Sequence, residues 1–400
     1  MGGAGVQRTL KYVKYLPDNN WIPVVLTGKH DGAALQDHSL TSDISSQVSI
    51  VRTKHWGISP KIPYKLRNWI TRWILCVDEQ VGWSPFAIHQ GKQLIARNNI
   101  EVIYTTSPPV TDHIVGGYLK KKTGLPWVAD FRDLWIGNFA SDFPTRLHER
   151  VAYKIESRLI ELADRILVIS EPMRQTLLER YPNVDVTHVL TIPNGYDPDD
   201  FSGVTAANID RRYFNIIYTG SFYQKFRTPL PFLVGLREIL DSGEIPSEKI
   251  RVYFIGNIGL SAQRQVKSLG LAEIVHTTGY VSHKESVSWL LSADLLLLMI
   301  GRKAGSEVVT TGKIYEYMAS MKPILAIIPP GIASELIREA RAGYVIDPED
   351  IQGIRNMIVE LFGRWQANAL SISPNTEFIA HYDRRLLTGR LAQVFDALTI

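Results

Sequence analysis

The 400-residue chain has one cysteine, Cys76, so no internal disulfide can staple it. It has no apolar run near the roughly 18 residues that a membrane-crossing helix needs; the longest, LLLLMI at 295–300, suits a buried strand. Its opening, MGGAGVQRTL, lacks the basic-then-apolar order of a secretory signal. Neither sign of charge dominates: 44 Lys and Arg stand against 40 Asp and Glu, a net +4, so overall charge points to no nucleic-acid partner. Low-complexity segments and short-period repeats are also missing. These absences argue against a helical integral membrane protein and a disulfide-built secreted domain, and favour a reducing cytoplasm.

The chain does contain enough apolar material, 45% of residues, for more than one core, and its length exceeds what one core usually supports. Short β-rich runs alternate with helical patterns: WIPVVLT (21–27), QVSIVRT (47–53), EVIYTTS (101–107), PWVADF (126–131), RILVIS (165–170) and VLTIPN (189–194), then NIIYTGS (215–221), RVYFIGN (251–257), EIVHTTGYV (273–281), ADLLLLMI (293–300), KPILAII (322–328) and GYVIDP (343–348). Such alternation predicts an α/β protein of two Rossmann-like, doubly wound domains with parallel sheets. The expected division is 1–195, a polar hinge at 196–212, 213–375, and a last helical segment at 376–400 free to pack on either domain. A Gly-rich turn, GGAG with Gly3 and Gly5, opens the first helix with no strand ahead of it, so the N-terminal sheet is expected to lack its first strand and the chain to start mid-unit.

Ligands of such sheets bind beyond the carboxyl ends of the strands, which directs attention to VVTTGKIYEYMASMKPILA, 308–326. In a helix opening at Gly312, Lys313 and Glu316 share one face while Ile314, Tyr317, Met318 and Met321 face the core. A capping box fails, because Lys313 and Ile314 stand three residues after Thr310 and Thr311 where Glu or Gln is needed. A P-loop fails too: Gly305 and Gly312 are too far apart, and Ile314 replaces the magnesium-binding Ser or Thr. A surface Lys-Glu pair or an anion site remains, the latter with helix N–H groups and Lys313 for phosphate and Glu316 for a sugar diol. A second such turn follows NIIYTG, where Gly220 permits close backbone approach and Lys225 and Arg227 can close over a pyrophosphate.

Three further stretches stand out. ADFRDLW places Arg132 and Asp133 just past a strand, either to orient an acceptor hydroxyl or as a structural pair, and His113 follows SPP at a helix start. Asp197-Pro198-Asp199 spells Asp-x-Asp, but turn chemistry explains it and no metal is assigned. Residues 52–75 hold six Lys or Arg, three Trp and no acid; Leu66, Trp69, Ile70, Trp73 and Ile74 form a stripe with Lys65, Arg67 and Arg72 beside it. That pattern fits a helix lying on an anionic membrane surface through about 61–75, or a helix packed on the first sheet.

In TTSPPVTDH, PWVADFRDLW, IPNGYD, YTGSF, TGKIYEYMA and AGYVIDPED, taken in order, the chain resembles the family 4 retaining glycosyltransferases of the GT-B fold, most closely those of bacterial polysaccharide biosynthesis. The resemblance implies a peripheral enzyme on the cytoplasmic face of the membrane. It would move a sugar from a nucleotide-diphosphate donor to a lipid-linked or saccharide acceptor, without cofactor. It further implies that Glu316 binds the donor ribose, that Thr311, Gly312 and Lys313 meet the diphosphate, that Gly220 and Ser221 close over the donor, and that the backbone at Val281 reads the base. Ser221 stands where the family has Arg, leaving Lys225 and Arg227 as substitutes. Val308 stands where the family has its first glutamate, with Glu307 one place off. On the acceptor side the implied residues are Gly3, Gly5, His113, Arg132 and Asp133; the implied catalytic set is Asp133, Lys225, Arg227 and Glu316, with the reaction's electrostatic work falling to Lys225, Arg227, Lys313 and the helix dipole. A nucleotide-sugar epimerase, a non-catalytic nucleotide-sugar-binding protein and, last, a dinucleotide oxidoreductase are the alternatives.

Overall fold

The computed structural model describes residues 4–29, 37, 40, 43–56, 62–71, 73, 77–137, 143–222, 228–303, 305–308 and 310–399. Two compact units divide the chain: Met1–Pro193 with Arg384–Ile400, and Asn194–Asp383. The first contains α1 (Ala4–Tyr15), β1 (Val24–Gly28), β2 (Ser49–Thr53), α2 (Tyr64–Ile70), α3 (Ser84–Arg97), β3 (Ile103–Ser107), α4 (Thr111–Thr123), β4 (Trp127–Phe131), α5 (Arg146–Leu162), β5 (Arg165–Val168), α6 (Glu171–Arg180) and β6 (Val189–Thr191). The second contains β7 (Phe214–Thr219), α7 (Leu230–Ser242), β8 (Ile250–Ile255), α8 (Gly259–Ser268), β9 (Val275–Gly279), α9 (His283–Ser292), β10 (Leu295–Met299), α10 (Gly312–Ala319), β11 (Ile324–Ile327), α11 (Ile332–Glu339), β12 (Gly343–Ile346), α12 (Ile351–Gln366) and α13 (Thr376–Ala380). The closing helix α14 (Arg384–Thr399) returns to the first. Every strand segment expected from the sequence forms a strand.

In the second unit the six strands lie in the order β12-β11-β10-β7-β8-β9, all parallel. Central strand β7 is buried along its whole length, which is why it reads as a continuous apolar run. Phe214, Ile216 and Tyr218 face a layer built with α7, α8 and α12, whereas Ile217 packs with Leu296, Leu298 and residues of α9, α10 and α11. Connections run outward both ways from β7 and β10, so the sheet reverses direction between these two strands.

The first unit has a parallel four-stranded sheet, β3-β4-β5-β6, and a separate parallel pair, β1-β2. On the scheme of the second unit, the break falls where a central strand belongs. Among the described residues no strand precedes α1.

Helix α1 nonetheless binds tightly to the four-stranded sheet, through a buried cation. Arg8 donates from Nε and Nη2 to the two carboxylate oxygens of Asp130 on β4 at 3.0 and 2.8 Å, and Tyr104 and Thr106 of β3 donate to the same carboxylate at 2.8 Å each. Arg8 also reaches the carbonyls of Ile192 and Pro193 at 2.9 and 2.8 Å. One side chain thus joins α1, β3, β4 and the exit of β6. Lys11, equally buried, pairs with Asp43 at 2.6 Å. Helix α14 completes this layer: Leu387, Leu391 and Phe395 pack with Tyr12, Leu16, Val128 and Leu167.

Two boundaries differ from those expected. Residues 196–212, read as a hinge, lie within the second unit, tied to α9 by Ala207 N–H to Ser288 O and by the Ser288 and Ser292 hydroxyls to Thr205 and Ala207 carbonyls. Residues 376–383 belong there as well, so only α14 crosses back. Met321, expected in the core, is 43% exposed with φ +56, because α10 ends at Ala319 and Met321 sits past its carboxyl cap.

Burial alone would raise the Asp130 pKa, but the Arg8 charge and the hydrogen bonds from Arg8, Tyr104 and Thr106 outweigh it and hold the group below 3.8. A depressed carboxylate contributes stability above its unfolded pKa and loses it as pH falls through the folded one. Asp130→Ala leaves Arg8 buried and unpaired and is expected to cost about 3–5 kcal/mol in denaturant unfolding at pH 7, with a smaller cost in acid.

Candidate functional site

The carboxyl ends of β7 and β10 flank the reversal of the second sheet, the edge where such sheets bind ligands. Gly220 ends β7 with φ +111, a conformation open to glycine, and its N–H donates to Ile255 O at 2.6 Å. Lys313, in the first turn of α10, lies directly against it: a β-carbon built on Gly220 would fall 2.2 Å from Lys313 Nζ. The structure therefore brings together Gly220 and Lys313, from the two candidate anion-binding turns that the sequence places almost a hundred residues apart.

Helix α10 shows why Lys313 and Glu316 stand where they do. Ile314, Tyr315, Tyr317 and Met318 are buried, and Gly312, Lys313, Glu316 and Ala319 form the half-buried side. The Tyr317 hydroxyl accepts from Thr219 N–H at 2.9 Å, seating the helix on the end of β7. Thr311 is the N-cap residue but its side chain makes no capping bond, and a β-carbon on Gly312 would meet nothing within 4 Å. The hydroxyls of Thr310 and Thr311 are shielded from solvent and have no hydrogen-bond partner among the described residues. A helix start with an adjoining ammonium and two unmatched hydroxyls is suited to an anion.

Lys313 is itself held. Its Nζ donates to the Tyr218 hydroxyl at 3.0 Å and lies 4.2 Å from the Tyr218 ring centre, while that hydroxyl donates to the carbonyl of half-buried Ser221 at 3.0 Å. Phe222 stacks on Tyr218 at 4.4 Å, and Phe254 meets both rings edge-on.

Two glycines extend the shelf. A β-carbon on Gly256, φ +123, would fall 2.8 Å from Gly220 O, and Gly256 bridges to Gly279, φ +76, at the end of β9. Val281 follows two residues later, half-buried against the α9–α10 side of the core. Gly256 went unnoticed in the sequence, although its position after strand RVYFI was the available signal. Glu307 lies in a 3-10 turn, Ser306–Val308, where its carboxylate accepts from Gly305 N–H at 3.2 Å and its backbone abuts Gly331. Gly3, Lys225 and Arg227 lie outside the described residues.

In the first unit the acceptor-side residues fare differently. His113 is fully buried on α4, 4.3 Å from the Phe131 ring, with Nδ1 bonded to Thr105 Oγ1 at 2.8 Å. Burial lowers its pKa to about 3, so it is a neutral core residue, the structural role that a lone histidine more often has, and not an acceptor-side group. Arg132 is also not free to orient an acceptor: it donates to the carbonyls of Gly5, Ser107 and Pro108, clamping the start of α1 to the exit of β3. Asp133 is exposed next to it. The sequence reading passed over Asp112, which burial and the Asp78 carboxylate push up to about 7 against the opposing pull of Arg132. Asp78 caps α4, accepting from Thr111 N–H and Oγ1 at 2.9 and 2.6 Å. Asp197 caps a short turn through Asp199 N–H at 3.0 Å, as turn chemistry implied.

Two α/β units built on parallel sheets, the second with a candidate anion site at its strand reversal, define a protein of the GT-B fold. The chain matches the family models described as Glycosyltransferase Family 4, over residues 5–200, and Glycosyl transferases group 1, over 214–364. It belongs to the family 4 glycosyltransferases. Solved structures agree in fold: a sucrose-phosphate synthase from Thermosynechococcus elongatus (16% identity, 99% of this chain and 94% of that one, TM-score 0.71); Anabaena HepE in complex with UDP and glucose (16%, 99% and 96%, 0.62); and a putative UDP-N-acetylglucosamine 2-epimerase from Listeria monocytogenes (10%, 99% and 94%, 0.60). No curated protein matches the sequence.

Two measurements follow. Gly220→Ala adds a β-carbon that strains the backbone by about 1–2 kcal/mol and displaces Lys313; nucleotide affinity measured by calorimetry should fall with it. Because the folded pKa of Asp112 is raised, the native chain holds its proton more tightly than the unfolded chain, and stability falls as pH rises from about 4 to 7. Asp112→Asn should therefore gain on wild type by more than about 1 kcal/mol between pH 5 and pH 8 in denaturant unfolding, since one pKa unit is worth about 1.4 kcal/mol.

Proposed function

We propose that the protein transfers a hexosyl or related sugar from a nucleoside-diphosphate donor to a lipid-linked or saccharide acceptor, with retention at the anomeric carbon, in the building of a cell-surface polysaccharide. The observation that supports the donor half is the meeting of Gly220 and Lys313 at the strand reversal. In this reading the diphosphate rests on the first N–H groups of α10 with Lys313 beside it, and the Thr310 and Thr311 hydroxyls supply further donors. Glu316, one turn on, accepts from the ribose diol, and the backbone near Val281 borders the base. Lys225 and Arg227 add charge over the pyrophosphate.

The chemistry then needs little from the protein beyond charge. As the bond to the anomeric carbon lengthens, negative charge grows on the leaving diphosphate; the helix dipole and Lys313 stabilise it more than the ground state, and that difference lowers the barrier. The departing phosphate takes the acceptor proton on the same face of the sugar, so neither a protein base nor a metal is invoked. Asp133, exposed past β4, is the acceptor-side residue in this reading. HepE has been solved with UDP-glucose, which makes UDP-sugars the first donors to test. An epimerase shares the fold, and it would convert the donor with no acceptor present.

Residues 61–75 are assigned to a membrane surface. Leu66, Trp69 and Trp73 are 49%, 51% and 45% exposed, and Trp56 is 73% exposed. A helix packed on the sheet would bury these side chains; Leu66, Trp69 and Trp73 stay outward with exposed Lys65 beside them, while Ile70 is half-buried. Trp73 is braced edge-on against His148 at 5.7 Å. Among the described residues no helix is long and apolar enough to cross a membrane, so attachment here rests on interfacial Trp and basic charge. Ile74 and Arg72 lie outside the described residues.

Incubation with UDP-, GDP- and dTDP-sugars should release nucleotide from one of them, and Lys313→Ala should weaken donor binding about 10- to 100-fold, the worth of a hydrogen bond to a charged group. Absence of release or binding with any donor overturns the assignment. In flotation with vesicles containing anionic lipid, a Trp69→Glu, Trp73→Glu variant should lose most membrane binding, and unchanged binding would remove 61–75 as the contact.

A further inference from the structure

Tyr218 lies on β7 within the buried core, yet its hydroxyl touches both elements that the donor reading requires. The hydroxyl has one proton and gives it to Ser221 O, fixing the turn that begins at Gly220. Its lone pair is then oriented to accept from Lys313 Nζ at 3.0 Å, and the ring face contributes a second, electrostatic hold on the same ammonium at 4.2 Å. Stacking by Phe222 at 4.4 Å and edge contacts from Phe254 leave the ring little freedom to swing. The absent β-carbon of Gly220 is what leaves room for Lys313 to lie there.

We propose that Tyr218 is a positioning residue for donor binding. Its hydroxyl links the Lys313 ammonium to the Ser221 carbonyl, so that the turn after β7 and the first turn of α10 present their groups to the diphosphate as one preset unit. An unrestrained lysine on a four-carbon stem would have to be ordered at each binding event, and the link removes that entropic cost in advance. The inference rests on the donor reading above and adds to it a residue that makes no contact with the diphosphate.

The test is a double-mutant cycle read by calorimetry with UDP on the full chain, using wild type, Tyr218→Phe, Lys313→Ala and the double variant. Phenylalanine keeps the ring, its stacking and its face, and removes only the hydroxyl. Tyr218→Phe should weaken UDP binding about 5- to 10-fold with a melting temperature near that of wild type, and should weaken it no further once Lys313 is alanine. A purely structural role for the hydroxyl predicts that the two losses multiply, and that result, or an unchanged affinity for Tyr218→Phe, overturns the proposal while leaving the donor site intact. If wild type binds neither UDP nor GDP, ADP or dTDP, the donor reading and this inference fail together.

Discussion

A parallel sheet sends all its strands out at one edge, and every helix that follows a strand starts near that edge. This constraint organises the second unit. Strand carboxyl ends and helix amino ends gather there, and where the winding reverses between β7 and β10 the connections lead away on opposite sides, which in such sheets leaves a crevice. Gly220, Gly256 and Gly279 keep the ends of β7, β8 and β9 clear of side chains, and α10 brings its half-buried side to the same place. The site is thus a product of topology first, and Lys313 and Glu316 give charge to a place that the winding had already opened.

The first unit solves a different problem. Its sheet is interrupted among the described residues, and the Arg8–Asp130 network supplies cross-links where a strand ladder is missing. Burying an arginine and an aspartate is costly, and the cost is offset here because Asp130 takes four hydrogen bonds and Arg8 also reaches two carbonyls. Arg132 repeats the device at the surface, using carbonyl acceptors to fix the start of α1. Two arginines thereby do in the first unit what backbone pairing does in the second.

Much of this was legible in the sequence, for reasons that can be stated. Strand runs such as NIIYTG and ADLLLL are apolar because both faces are covered, and the helix after TTG shows its buried side at Ile314, Tyr317 and Met318. Lys313 and Gly220 could each be picked out, because helix starts and strand-ending glycines carry local signals. Their contact could not be read, since it depends on how β10 lies beside β7. Tyr218 was hidden for a related reason: an aromatic residue in an apolar strand reads as core, which it is, and only the structure shows where its hydroxyl ends. In ADFRDLW the reading favoured Arg132 and Asp133, although the period-two alternation of the strand sets Asp130 on the same face as Val128, towards α1 and α14. His113 shows the converse case, a residue placed at a helix start by pattern and drawn into the core by Phe131 and Trp127.

The return of α14 has a consequence for how the chain is made. The first unit is discontinuous, with its last layer supplied by Leu387, Leu391 and Phe395, some two hundred positions after Pro193. During synthesis the second unit can close as soon as α13 emerges, whereas the earlier half must wait for α14 to cover Tyr12, Leu16 and Val128. The lobe translated first is therefore the lobe finished last.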